Sequence, residues 1–221
     1  METKPYVLVC VLCSFERHGW INPGLFETLV MATHDQRFSM EIRCLSQYHR
    51  VETARNVAFE MARVGNVDWL IMIDNDQDCR QLTEILYEAE TTKGVDIVSV
   101  ATGINDPGKL ALNVNLLRPV KMKGNFGQVD FGGTGVFLIR NNVINAFPKP
   151  QDGELVGKYF VWYTDRNVSE DQYFCALAQA MGFNIWTHDS FAEHWHTTSL
   201  TKAVVGTRTS WARTGLIAPW A

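Results

Sequence analysis

Asp74 and Asp76, separated by Asn75, are two carboxylates standing where an apolar run stops. Hard divalent cations such as Mg2+ and Mn2+ take oxygen ligands and usually share them with substrate phosphates. An Asp-x-Asp is therefore a candidate for holding a cation against a nucleotide diphosphate. The triplet is equally good turn chemistry, because Asp and Asn bond to nearby backbone and tolerate turn geometry; both readings stand on these residues alone. The preceding run, Trp69 to Ile73, is continuously apolar and too short for a helix, so it reads as a strand buried on both faces. Carboxylates at the carboxyl end of such a strand lie where open α/β sheets take ligands. A P-loop nucleotidase would share this strand, but its G-x-x-x-x-G-K-[ST] loop does not occur in the chain.

Other residues carry chemistry less pointedly. Arg55 sits near a helix start, off the apolar face, as a solvated charge or as a group that faces a phosphate or fixes an acidic side chain bidentately. Glu170 and Asp171 lie in Ser169-Glu170-Asp171-Gln172, an S-x-x-Q capping box whose acids the helix dipole already explains. His194 and His196 are spaced i and i+2, which on extended chain puts both on one face and offers two imidazole ligands; a pair of exposed loop histidines is the alternative. Ser14 and Glu16 follow a first strand, where nucleotides are often touched, yet no G-x-G-x-x-G is present and a dinucleotide cofactor is disfavoured. Gly133, Thr134 and Gly135 interrupt an apolar stretch, marking either close approach of backbone to a ligand or a bulge.

These residues need elements to hold them. Tyr6 to Cys13 and Phe38 to Ser46 read as strands, Asn22 to Thr33 as a weak helix. Ala54, Val57, Ala58, Met61 and Ala62 repeat as one helical face. Leu82, Ile85, Leu86 and Ala89 mark another helix, with Gly94 as C-cap, and Asp96 to Ala101 a further strand. That alternation is the pattern of a parallel α/β sheet. Leu110 to Leu117 and Gln128 to Arg140 then read as strands with no helix between them. A helix opened by Ser169 and a strand from Asn184 to His188 follow, and the stretch from Thr197 onward reads as a loop or lid.

The chain has 221 residues, 46% of them hydrophobic, which suits a globular protein with a substantial core. A net charge of −4 argues against broad electrostatic binding of nucleic acid. Five scattered cysteines fit a reduced, cytoplasmic protein better than a disulfide framework. Cys10 and Cys13 fall inside an apparent strand and read as packing residues. The apolar run at Tyr6 to Cys13 is too short for a membrane span or a convincing signal peptide, so no stable membrane insertion is expected.

Four segments, in order, resemble the GT-A nucleotide-sugar-dependent glycosyltransferases, in particular their family-two-like group. They are Ala54-Arg55-Asn56 with Ala58 and Ala62; Leu70 to Asp76; Gly133 to Arg140; and Ser169 to Cys175 with Gly182-Phe183, followed by His194. The resemblance implies a single-domain GT-A, Rossmann-like fold over 1–196, with a mixed, mainly parallel sheet flanked by helices. It implies a nucleotide-binding half to about residue 101, an acceptor-side half to 196, and a lid at 197–221. It implies Mn2+ or Mg2+ on Asp76, with His194 (or His196) and Asp74 as further metal candidates. Ser14, Glu16, Arg55, Asp74 and Asn75 would face the nucleotide, UDP being favoured. Asp171, beside Glu170, would take the acceptor proton, and Gly133, Thr134, Gly135 and Trp162 would line the acceptor or sugar side. The loop after the first strand departs from the family pattern, and the processive Q-x-x-R-W signature is absent. The acceptor is a hydroxyl of open class, a hydroxymethylated DNA base among the candidates. A metal-dependent hydrolase or nucleotidyltransferase, and an inactive sugar- or nucleotide-binding module, are the readings from other classes.

Overall fold

The computed structural model describes residues 3–13, 21–48, 50–106, 109–112, 114–116 and 121–194, with backbone alone for 103–116 and for Phe191, Glu193 and His194. Ser14, Glu16, His196 and the lid expected at 197–221 lie outside the described residues.

In chain order the elements are β1 (Tyr6–Leu12), α1 (Pro23–His34), β2 (Ser39–Leu45), α2 (Val51–Gly65), β3 (Trp69–Asp74), β4 (Gln77–Asp78), α3 (Leu82–Thr91) and β5 (Ile97–Ser99). There follow β6 (Ala101–Asp106), β7 (Lys109–Leu112), β8 (Val114–Leu116), β9 (Met122–Lys123), β10 (Phe126–Gly132), β11 (Val136–Arg140) and α4 (Asn141–Ala146). A 3-10 turn (Thr164–Arg166), α5 (Glu170–Ala180), β12 (Ile185–His188) and β13 (Phe191–His194) complete the described chain. A nine-stranded sheet runs β2-β1-β3-β11-β5-β12-β10-β8, with β9 beside β10, and a second sheet runs β4-β13-β6-β7. In the large sheet only β10 and β11 run against the other described strands. This is the mixed, Rossmann-like α/β architecture, parallel in the main direction of its strands.

Strand alternation divides the core into two layers. Leu8, Cys10 and Leu12 of β1 join Leu70 and Met72 of β3 under α2, α4 and α5. Val7, Val9 and Val11 join Trp69, Ile71 and Ile73 under α1 and α3. Both faces of β1 and β3 are thus covered by helices, which is why their sequences are unbroken apolar runs. Burial pushes the thiol of Cys10 up to about 12 and that of Cys13 up to about 11, as expected of packing residues. No helix among the described residues is long and apolar enough to cross a membrane.

Four local expectations change. The stretch Gln128 to Arg140 is two strands, broken at Gly133–Gly135, because β11 leaves β10 and enters the sheet between β3 and β5. Leu110 to Leu117 likewise divides into β7 and β8, which belong to different sheets. On α2 the buried residues are Ala54, Arg55, Asn56, Ala58, Phe59 and Ala62, while Val57 and Met61 are only partly covered. The reason is a second neighbour: Asn56 bonds the backbone of Tyr159 and Phe160, and the Phe59 ring lies 4.4 Å from that of Tyr159. Finally, α3 is capped at Thr92, and Gly94 takes φ 76° in the turn beyond.

Candidate active site

The site starts from register. Parallel pairing sets Leu12 of β1 opposite Asp74 of β3, so both strands end together. Because β11 is antiparallel to β3, its amino end, not its far end, meets Asp74: the Asp74 N–H donates to Gly135 O at 2.8 Å. Asn75 is tied on two sides, its N–H to Leu12 O and its carbonyl to the N–H of Asn22, each at 3.0 Å. Asn22 in turn caps α1, accepting from the N–H groups of Gly24 and Leu25. The Asp74–Asp76 turn is therefore clamped by β1, β11 and the start of α1. Its carboxylates are half-buried, not splayed into water.

Asp78, two residues on, points inward. Its side chain is fully buried, accepts from the Thr28 hydroxyl at 3.0 Å, and packs against the first turn of α1. A Cβ on Gly24 would come within 2.3 Å of Asp78 Oδ2, so a glycine is needed there.

Arg55 crosses from α2 to this turn. Its guanidinium is 3% exposed, with Nη2 donating to Asp74 Oδ1 at 3.0 Å and Oδ2 at 3.3 Å, and Nη1 donating to Glu170 Oε1 at 2.5 Å. One cation thus joins the end of β3 to the first turn of α5. Glu170 is itself buried, which pushes its carboxyl above the ordinary glutamate value; the adjacent Arg55 charge opposes that rise. The helix dipole alone, the explanation open from sequence, does not account for a buried glutamate on an arginine from another helix.

Asp171 behaves differently. It is half-buried at the second position of α5, and its Oδ1 accepts from the Gln172 N–H at 2.8 Å and from the Ser169 hydroxyl. Ser169 and Gln172 form the capping box read from sequence. Asp171 is not one of the carboxylates Arg55 bonds.

The glycine segment closes the opposite side. Gly133 O accepts from the Ser99 hydroxyl at 2.7 Å, and Gly132 O from the Cys175 thiol at 3.6 Å. Gly135 lies against Gln77, whose amide carbon would be 3.2 Å from an added Cβ. Gln77 Oε1, the Thr134 hydroxyl, Arg55 Nε and Glu170 Oε2 are buried without a hydrogen bond among the described residues. Gln77 was not a candidate from sequence; its only signal there was its place directly after the Asp-x-Asp. Its side chain approaches Asp76 Oδ1 at 3.5 Å.

The structure brings Arg55, Asp74, Asn75, Asp76, Gly133, Thr134, Gly135 and Glu170 to one end of the sheet, with Asp171 beside Glu170. The backbone of β13 joins them: it pairs antiparallel with β4, setting His194 opposite Gln77. Among the described side chains no group of three His, Cys, Asp or Glu forms a cation site. Trp162 stands on the loop before α5 and is half exposed.

No protein-family model matches the chain. No curated protein matches it in sequence. Among solved structures, the crystal structure of A197 from STIV is similar with a TM-score of 0.57 at 17% identity, covering 88% of this chain and 86% of that one. A CMP:2-keto-3-deoxy-manno-octonic acid synthetase, complexed with CTP, is similar with a TM-score of 0.51 at 10% identity, covering 96% of this chain and 100% of that one. Likeness at these identities is likeness of fold.

Proposed function

We propose that this protein is a glycosyltransferase that moves a sugar from a nucleotide-diphosphate sugar, UDP-linked in preference, to a hydroxyl acceptor. The observation that carries the proposal is the Arg55 bridge. It fastens the Asp-x-Asp strand end, suited to a nucleotide diphosphate, to the helix start bearing Asp171, suited to a proton. In the reaction, the acceptor oxygen bonds to the sugar's anomeric carbon, the bond from that carbon to the diphosphate oxygen breaks, and Asp171 receives the hydroxyl proton. Glu170 and Arg55 orient; with its carboxylate on Arg55, Glu170 is not the base.

The donor set fits Mg2+ or Mn2+ in part. Asp74 is shared with Arg55, so Asp76 is the principal carboxylate for such an ion, with His194 as the second protein ligand. A divalent ion bound there supplies Lewis-acid charge to the departing diphosphate. Asp74 would then contact the nucleotide, while Asn75, 3% exposed and tied through its backbone to Leu12 and Asn22, would hold the turn in place; Gly133–Gly135 would let the backbone approach the sugar.

A second reading is nucleotidyl transfer, favoured by the likeness to a synthetase complexed with CTP. Its products differ: pyrophosphate instead of a nucleoside diphosphate. Incubating the protein with UDP-, GDP- and CMP-sugars plus Mn2+, and separately with CTP or UTP plus sugars, distinguishes them. Release of UDP from a UDP-sugar supports glycosyl transfer, pyrophosphate from a triphosphate supports the second reading, and binding without either product leaves a binding module.

A further inference from the structure

β2 ends the nine-stranded sheet: β1 pairs along one side of it, and no described strand pairs along the other. The pairing with β1 is parallel and unbroken from Ser39 to Leu45, without a bulge. The strand holds no proline and no lysine, residues that often spoil an open edge. Backbone bonds at its two ends fix which groups are spare. The Ser39 N–H donates to Pro5 O at 2.9 Å, and Leu45 O accepts from the Cys13 N–H at 3.2 Å. Bonding in a ladder alternates along the strand, so Ser39, Glu41, Arg43 and Leu45 turn their backbone groups to β1. Met40, Ile42 and Cys44 therefore turn theirs outward, a row of donors and acceptors along the edge.

The side chains divide the same way. Met40 and Ile42 pack, partly covered, on the layer beneath α1 and α3. Glu41 and Arg43 stand on the other face, beside a groove of about 450 Å3 between β2 and α2. They form an ion pair within the strand, and Glu41 also accepts from the Tyr6 hydroxyl. Val64 and Leu155, which line the same groove, are 85% and 96% exposed. An open edge flanked by uncovered apolar side chains has the character of a contact surface.

We propose that this edge receives the same edge of a second copy of the chain, antiparallel about a two-fold axis through Ile42, so that one sheet runs through both protomers. With the axis there, Ile42 faces the partner's Ile42 and Met40 faces the partner's Cys44. These are the residues with outward groups, so each facing pair exchanges two backbone bonds. Glu41 then faces the partner's Arg43, and Arg43 the partner's Glu41, at the non-hydrogen-bonded positions where side chains lie closest. Charge decides this register. An axis at Glu41 sets that carboxylate against its own copy, and an axis at Arg43 does the same with two guanidinium groups; like charges directly opposite are destabilising. The Ile42 axis also pairs all seven residues of β2, the longest overlap the strand allows. A closed two-fold contact uses up the open edge on both copies. It involves none of the candidate site residues and does not depend on the glycosyltransferase reading.

Sedimentation velocity of the full chain over a range of concentrations tests this. The parent should form a species of twice the chain mass at micromolar concentration. Glu41→Arg sets like charges opposite each other on both sides of the axis and should weaken association about tenfold or more; Arg43→Glu should do the same with the opposite sign. Combining Glu41→Arg with Arg43→Glu restores both opposite-charge pairs and should bring the dimer back. Cys44 is the one exposed cysteine of the five, so Ile42→Cys in a Cys44→Ser chain checks the register. With the axis at that position the two new thiols fall within disulfide reach, and oxidation with diamide should link the copies there. Melting temperatures report whether each variant protomer is folded, since Glu41 also holds Tyr6 and Arg43. A parent that stays monomeric at high micromolar concentration, or whose mass climbs past twice the chain mass, would overturn the proposal. So would folded single-charge variants that associate as the parent does, a folded double variant that stays monomeric, or a dimer that Ile42→Cys does not link.

Discussion

Arg55 Nη1 lies 2.5 Å from Glu170 Oε1, a residue 115 positions further along the chain, and both side chains are buried. The pair should be strongly asymmetric. Arg55→Leu leaves Glu170 and Asp74 without the guanidinium both are bonded to, and should cost about 3–5 kcal/mol at neutral pH, the usual scale for orphaning a buried charge. Glu170→Gln leaves Arg55 its bonds to Asp74 and should cost only about 1 kcal/mol. The pH dependence follows. Burial holds the Glu170 carboxyl above its unfolded value, so its favourable contribution is present in acid and is lost as pH rises through the folded value. Arg55→Leu removes the charge that opposes that rise, so its deficit against the parent should shrink as pH falls into the carboxylate range. Urea unfolding from acid to neutral pH measures this; equal costs for the two variants would remove the bridge as a stabilising element.

UDP should bind tightly only with Mn2+ or Mg2+. By calorimetry, Asp76→Ala should abolish the metal-dependent part, while Asp74→Asn, at a carboxylate already engaged by Arg55, should weaken it less. His194→Ala should lose more metal affinity than His196→Ala. Undiminished UDP binding in excess chelator would withdraw the metal from the mechanism.

Asp171→Asn should preserve UDP binding and lose transfer by about 100-fold or more, the usual result of removing a general base. A residue that merely supports the Ser169 cap would instead cost about 1 kcal/mol of stability and leave turnover nearly intact. Turnover and melting temperature of this one variant separate the two roles.

Two glycines should respond oppositely to alanine. At Gly24 the new Cβ meets the buried Asp78 carboxylate at 2.3 Å, and overpacking should cost about 1–3 kcal/mol. At Gly65, the last residue of α2, it meets Val67 at an ordinary 3.5 Å, and helix propensity should add up to about 1 kcal/mol. Thermal melts of both variants check the sign of each effect.

What the residues disclosed beforehand was what local physics determines. The unbroken run Trp69 to Ile73 announced a strand covered on both faces, and Ser169-x-x-Gln172 announced a helix start, because period and capping are properties of a few neighbours. Arg55 stayed open between a solvated charge and a clamp on an acidic side chain because one of its partners, Glu170 of α5, lies 115 positions away, where no helical period can report it. Gln77 was silent for the same reason: its role appears only when β11 brings Gly135 against it. The break at Gly133–Gly135 was visible, but the pairing of β11 with β3 is a decision of the whole sheet.

The order of strands sets the order in which the molecule can assemble. β12 is the last described strand of the large sheet along the chain, yet it lies between β5 and β10 in its interior. Until Ile185–His188 has left the ribosome, the sheet exists as two pieces, each with an open hydrogen-bonding edge facing the gap. Synthesis must therefore proceed past α5 before the halves can join, so the protein should fold late, through long-range contacts, and chains stopped short of β12 should be prone to edge-to-edge association.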